Sequence, residues 1–252
     1  MNQTHKTWLV IVFSLVMSLA CSMFPLASSP TATLLPNTDS EIDSVPTVEG
    51  YIDSTVYSTG IEIVQVVEVP GVIDHNGKYA LTLPKNWILG ALHTDFASTI
   101  ENESQVNENV KGLFEYFLKT DPNIRAFGFS TSHSQLNKDS FLVAVVKMFQ
   151  DEIYLSRSIN ELADMFVANQ SSPELVNFTY ISEPLTSASD IPTVIMLNEV
   201  QDGKGNSAIY NGILLAKLDS AYVQVFFLTN NPEINLGDEL AYPASSVMNY
   251  DK

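Results

Sequence analysis

One cysteine and four histidines are the side chains here best suited to chemistry. Cys21 stands alone, so the chain can close no internal disulfide and has no Cys-based zinc site. Histidine is the general base and metal ligand that titrates nearest neutral pH. His133 lies among Ser130, Thr131, Ser132 and Ser134. A serine hydrolase would need one of those hydroxyls, the imidazole and a distant orienting carboxylate, brought together in space. The sequence has no Gly-x-Ser-x-Gly elbow and no His-Glu-x-x-His pair. His75 falls in a turn, His93 in a connection after Trp87, and His133 just past a strand end. The plainer expectation for all three is an exposed loop position. Asp74-His-Asn76-Gly and Asp202-Gly-Lys-Gly-Asn206 carry fragments of a calcium loop, but neither supplies the full set of oxygen ligands. Gly203-Lys204-Gly205 is too short to cradle a phosphate. No catalytic, metal or cofactor-binding residue is therefore assigned, and no cofactor is expected. Asn102, Asn169 and Asn177 match the glycosylation acceptor pattern by chance.

The surroundings of Cys21 say more than its thiol does. Lys6 precedes an apolar run from Trp8 to Ala20, and the run ends in small residues. A positive head, an apolar stretch and a small-residue cleavage point make up a secretory signal. The run is about 13 residues, short of the roughly 20 that span a bilayer. Leu19-Ala20-Cys21, with Ser18 where Leu or Val is commonest, resembles the signal of bacterial lipoproteins. That resemblance implies diacylglyceryl transfer to the Cys21 thiol and a mature chain starting there. Residues 1–20 then form the signal peptide. Residues 21–50, rich in Ser, Thr, Pro and acid, form a flexible tether. Residues 51–252 form one domain.

The formal charge is −17, from 29 acidic and 12 basic residues. So acidic a chain repels phosphate backbones and anionic headgroups, which excludes nucleic acid as a partner. Membrane attachment must come from acyl chains on Cys21. The other expected partner is a protein.

Hydrophobic periodicity alternates between two and 3.6 along the domain. Strands are expected at Ile61–Glu68, ended by Pro70-Gly71, and on either side of Asn76-Gly77, a strong hairpin signal. Pro84 stops the second arm of that hairpin, and Trp87 after it reads as a core residue. Val106, Val110, Leu113, Phe114, Phe117 and Leu118 share one face of a helix over 104–120, ended by Asp121-Pro122. Ile124–Ser130 and Ser140–Phe149 read as strands. Ser158 and Glu161 have capping-box spacing and open a second helix. Leu175–Ile181 and Thr193–Val200 are further strands. Ala208–Lys217 and Ala221–Leu228 form a hairpin apolar on both faces, hence mid-sheet. Pro232 to Tyr250 reads as a helix broken near Pro243. The sum is an α+β fold, mostly antiparallel sheet with helices packed on its faces. Phe114, Leu118, Phe166, Leu214, Val225 and Phe227 are expected in one core.

Leu83-Pro84-Lys85-Asn86-Trp87 resembles the Leu-Pro-x-x-Trp opening of the PsbP-like family, with Asn86 where that family commonly has glycine. The late apolar hairpin before a C-terminal helix is similar as well. The resemblance implies a PsbP-like α/β/α sandwich and a non-enzymatic role. The leading expectation is thus a lipid-anchored extracytoplasmic binding or assembly protein without catalytic activity. The alternatives are an extracytoplasmic hydrolase using His133 with a nearby Ser, or a solute-binding lipoprotein, for which the domain is small.

Overall fold

The structure, a computed structural model, describes residues 52–250 apart from 58, 67–68, 93, 103–105, 107, 135–139, 170–174, 181–184, 187–189 and 202–206. The expected signal, Cys21, tether, His93 and 202–206 turn lie outside the described residues.

Among the described residues, two antiparallel sheets and six helices make up an α+β fold. The smaller sheet has strands β1 (Ile52–Val56), β2 (Ile61–Val66), β3 (Val69–Asp74), β4 (Tyr79–Thr82) and β13 (Met248–Asn249), in order β1-β2-β3-β4-β13. The larger sheet has β5 (Trp87–Ala91), β6 (Ile124–Ser130), β7 (Leu142–Phe149), β8 (Leu175–Tyr180), β9 (Leu185–Thr186), β10 (Pro192–Gln201), β11 (Ser207–Lys217) and β12 (Tyr222–Thr229). Its order is β5-β6-β7-β12-β11-β10-β8, with β9 also paired to β10. The helices are α1 (Thr94–Asn102), α2 (Glu108–Thr120), α3 (Thr131–Ser134), α4 (Glu152–Leu155), α5 (Ile159–Asn169) and α6 (Leu236–Ser246).

The central strands are apolar on both faces because both faces are covered. On β12, Tyr222, Phe226 and Leu228 face one way, and Val223, Val225 and Phe227 face the other. The first set packs with Phe96 and Ile100 of α1, Phe114 and Phe117 of α2, and Leu162 and Phe166 of α5. The second packs with Ile61, Val72 and Leu81 of the smaller sheet and Leu236 and Leu240 of α6. This corrects the expectation of one core. Phe114, Leu118 and Phe166 belong to the first cluster, and Leu214, Val225 and Phe227 to the second. The hairpin lies between layers, as expected, and therefore feeds two cores. Among the described residues, α1, α2, α4 and α5 cover one face, and the other carries a second sheet together with α6.

Local signals explain most of the boundaries. Ser158 and Glu161 cap α5 reciprocally: the Ser158 N–H donates to Glu161 Oε2 at 2.8 Å, and the Glu161 N–H donates to Ser158 Oγ at 3.3 Å. These bonds hold the Glu161 carboxyl below the usual carboxylate range. The hairpin at Asn76-Gly77 forms, but Asp74 organises it. Asp74 Oδ1 accepts from the N–H groups of Asn76 at 3.0 Å and Gly77 at 2.9 Å. Lys78 takes the left-handed backbone at φ 54°. Pro70 lies within β3 rather than ending β2, and its carbonyl accepts the Leu83 N–H at 2.9 Å. Nor does Pro243 break the last helix. It sits near the C-terminal end, and the helix runs on to Ser246. Asn86 has φ 63°, a conformation that suits glycine and asparagine, which accounts for Asn at that position. Trp87 is buried, edge-on to Phe227 at 5.1 Å between centroids.

Candidate functional site

Strands β10 and β11 pair so that Leu197 faces Gly212, Asn198 faces Asn211 and Glu199 faces Tyr210. Alternation sends Leu197, Glu199 and Tyr210 to the α6 face of the sheet. Gly212 lets α6 come down on that face. A Cβ there would lie 2.8 Å from Leu240 Cδ1 and 3.1 Å from Leu236 Cβ. The segment leading into α6 is held by its own polar side chains. Asn231 Oδ1 accepts the Glu233 N–H at 3.0 Å, and Asn235 Oδ1 caps the helix by accepting the Gly237 N–H at 3.1 Å. Asn235 Nδ2 also donates to Asp238 Oδ2 at 2.8 Å.

Between this segment and the two strands lies an open cleft of about 460 Å³. Leu197, Ile234 and Leu236 give it an apolar wall, and Glu199, Glu233 and Tyr210 contribute two carboxylates and a phenol. The volume is that of a binding site. The chemistry offered is acceptance of hydrogen bonds from a cation, with an alkyl stem laid on the wall. Among the described residues, no Ser, Thr, Cys, Lys, Arg or His lines it. Sequence reasoning did not find it, because its two sides are far apart in the chain.

The opposite face of the same two strands holds an unusual pair. The Asn198 and Asn211 side chains are buried, yet none of their four amide atoms has a hydrogen-bond partner. They point away from the cleft, and only their backbones lie beneath it. Further along this helix-covered face, Lys147 Nζ meets Asp121 Oδ2 at 2.7 Å with both side chains buried, 5.0 Å from the centre of the Phe226 ring. Beside it, Gln224 Nε2 donates to the Tyr222 hydroxyl at 3.0 Å. Burial pushes the Tyr222 phenol far above its ordinary range.

Of His75, His93 and His133, only His75 has a described side chain. His75 lies in the β3–β4 turn, exposed, with Nε2 2.9 Å from Glu62 Oε2 and its ring edge-on to Tyr250. His133 falls in the single turn of α3, and its side chain lies outside the described residues. Nearby, Ser130 Oγ and Ser132 Oγ are 3.0 Å apart. Among the described residues, no three His, Cys, Asp or Glu side chains gather to hold a metal ion. No helix among them is long and apolar enough to cross a membrane.

No family model and no curated protein matches the chain. It is similar in structure to cyanobacterial PsbP (CyanoP) from Synechocystis sp. PCC 6803, determined in solution. Identity is 13% and the TM-score 0.41, covering 74% of this chain and 95% of that one.

Proposed function

We propose that this chain is a lipid-anchored extracytoplasmic protein, held through acyl chains on Cys21, that binds or assembles a partner at the cleft beside α6. The observation that carries the reading is the cleft's composition. It combines an apolar wall with two carboxylates and a phenol, and no serine, cysteine or histidine stands among the described residues of its lining. Such a lining recognises a group without transforming it. The apolar run before Cys21 supports export, and the acid-rich tether behind it would hold the domain clear of anionic headgroups.

Site-specific photocrosslinking tests it. A benzophenone amino acid at position 233, beside the cleft, should give one discrete adduct in native membranes. The same probe at the exposed Lys119, on the last turn of α2, should not. Equal labelling from both positions, or from neither, rejects the cleft as the docking site.

A further inference from the structure

We infer that the outer face of the smaller sheet is a docking surface, and that its occupant is the chain's own apolar segment, residues 31–35. An antiparallel sheet with one face on the core turns the other to water, and that face is ordinarily polar. In this sheet it is largely apolar. Thr55, Ile63, Val72 and Leu81 lie opposite one another, and their row faces the larger sheet. The next row, Val56, Glu62, Ile73, Ala80 and Met248, faces outward. So do Val64 and Val69, with Ser54 and Thr82 beside them. Val56 is 66% exposed and Met248 41%, and none of these outward apolar side chains belongs to either core cluster. So broad an apolar face marks an interaction site.

Gly71 makes a notch in the middle of this face. A Cβ there would lie 3.0 Å from Val64 Cγ2 and 3.5 Å from Thr82 Cγ2, so those two side chains flank a bare strip of backbone. An aliphatic side chain from above would seat between them. The carboxylate described on this face, Glu62, is already held by His75, whose Nε2 lies 2.9 Å from Glu62 Oε2. A covering segment that brings no charge of its own therefore buries no unpaired charge.

Reach, charge and area select the occupant. The chain enters the sheet at Ile52, on the β1 edge of this face. Leu35 lies seventeen residues before Ile52, and a coil of that length has an r.m.s. span of about 23 Å. The sheet's five strands cover about 19 Å. Reach and face therefore match, the condition under which a linker raises effective concentration most. Residues 22–38 hold no charged side chain. Thr31-Ala-Thr-Leu-Leu35 stands between Pro30 and Pro36, and Leu34 or Leu35 supplies the side chain for the Gly71 notch. A second copy fits less well. The face offers roughly 300 Å² from its strand spacing and length, against about 800 Å² per partner in a stable pair. Each copy would also bring a formal charge of −17.

The test is photocrosslinking within the full-length chain in native membranes. A benzophenone amino acid replaces Leu34, or Ser44 as the control. The probe at position 34 should give an adduct at the mass of one chain, mapped by peptide sequencing to residues 62–73 or to the peptide carrying Met248. The probe at position 44 should not. Val64→Thr/Ile73→Thr, which keeps branched side chains in β2 and β3, should lose the adduct. Leu34→Ser/Leu35→Ser leaves every residue of the sheet intact. In hydroxyl-radical footprinting that variant should label Val56 and Met248 several-fold more heavily than the wild type. An adduct at twice the chain mass assigns the face to a second copy and overturns the self-docking. An adduct with lipid or with another protein, or equal adducts from positions 34 and 44, overturns it as well. So does equal labelling of Met248 in the wild type and the Leu34→Ser/Leu35→Ser variant. These outcomes are separate from the cleft, whose own test is the crosslink from position 233.

Discussion

The carboxylate of Asp74 in β3 and the guanidinium of Arg125 in β6 join the two sheets, with Arg125 Nε donating to Asp74 Oδ2 at 2.8 Å. Asp74 is fully buried. Its other oxygen serves the β3–β4 turn, and Arg125 Nη2 also donates to the Thr59 carbonyl at 2.9 Å. One ion pair therefore fixes a hairpin turn and the packing of one sheet on the other. Arg125→Met should cost about 3–5 kcal/mol, because it leaves a buried carboxylate unpaired. Asp74→Asn/Arg125→Met should cost less than the two single changes together. Denaturant melts of the three variants check this, and strict additivity would mean the pair does not act as a unit.

Asn198 and Asn211 face each other with their amides unpartnered inside an apolar cluster. An unsatisfied buried polar group costs about 1–3 kcal/mol. Asn198→Leu/Asn211→Leu should therefore raise the unfolding midpoint or leave it unchanged. A loss as large as a core truncation would show that the amides make bonds worth keeping.

Two phenols should limit stability in alkali. Tyr79 and Tyr222 are fully buried, and burial raises both above their ordinary value of 10.0, with the Asp74 carboxylate adding to the effect at Tyr79. A group whose folded value is raised contributes fully below its unfolded value, and that contribution is lost as pH climbs above it. Stability should hold up to about pH 10 and fall beyond it as the unfolded phenols ionise. Phenolate absorbance followed against pH should rise for these two residues only with unfolding. Their ionisation in the native state would contradict the burial argument.

Cys21→Ser should release the protein from the membrane fraction or leave its precursor uncut, and should remove incorporation of labelled fatty acid. The motive is the short apolar run ending at Cys21. A mutant that is processed to the same size and stays membrane-bound would refute the anchor.

The sequence announced what local chemistry decides. Ser158 and Glu161 gave the start of α5, and Asn76-Gly77 the β3–β4 hairpin. The faces of α2 and α5 and the double-sided β11–β12 hairpin were legible from apolar spacing. The partition into two cores was not, because strands apolar on both faces do not reveal what covers each face. Strand β1 reads Ile-Asp-Ser-Thr-Val, too polar to stand out, and β13 spans only Met248–Asn249. Those two edge strands complete the smaller sheet through pairing with β2 and β4, a tertiary event. The cleft was hidden for the same reason. Glu199 lies on a strand and Glu233 on a turn, and only the descent of α6 onto Gly212 brings them into the lining of one cleft.

Co-isolation from native membranes tests the central claim most directly, comparing the wild-type chain with Glu233→Arg, a charge reversal at an exposed residue of the cleft lining. The account predicts that one partner protein accompanies the wild type in fixed proportion. It also predicts that this partner is lost from the variant, whose unfolding midpoint is unchanged. A partner that stays bound to the variant, or a wild-type chain that emerges alone, would contradict it.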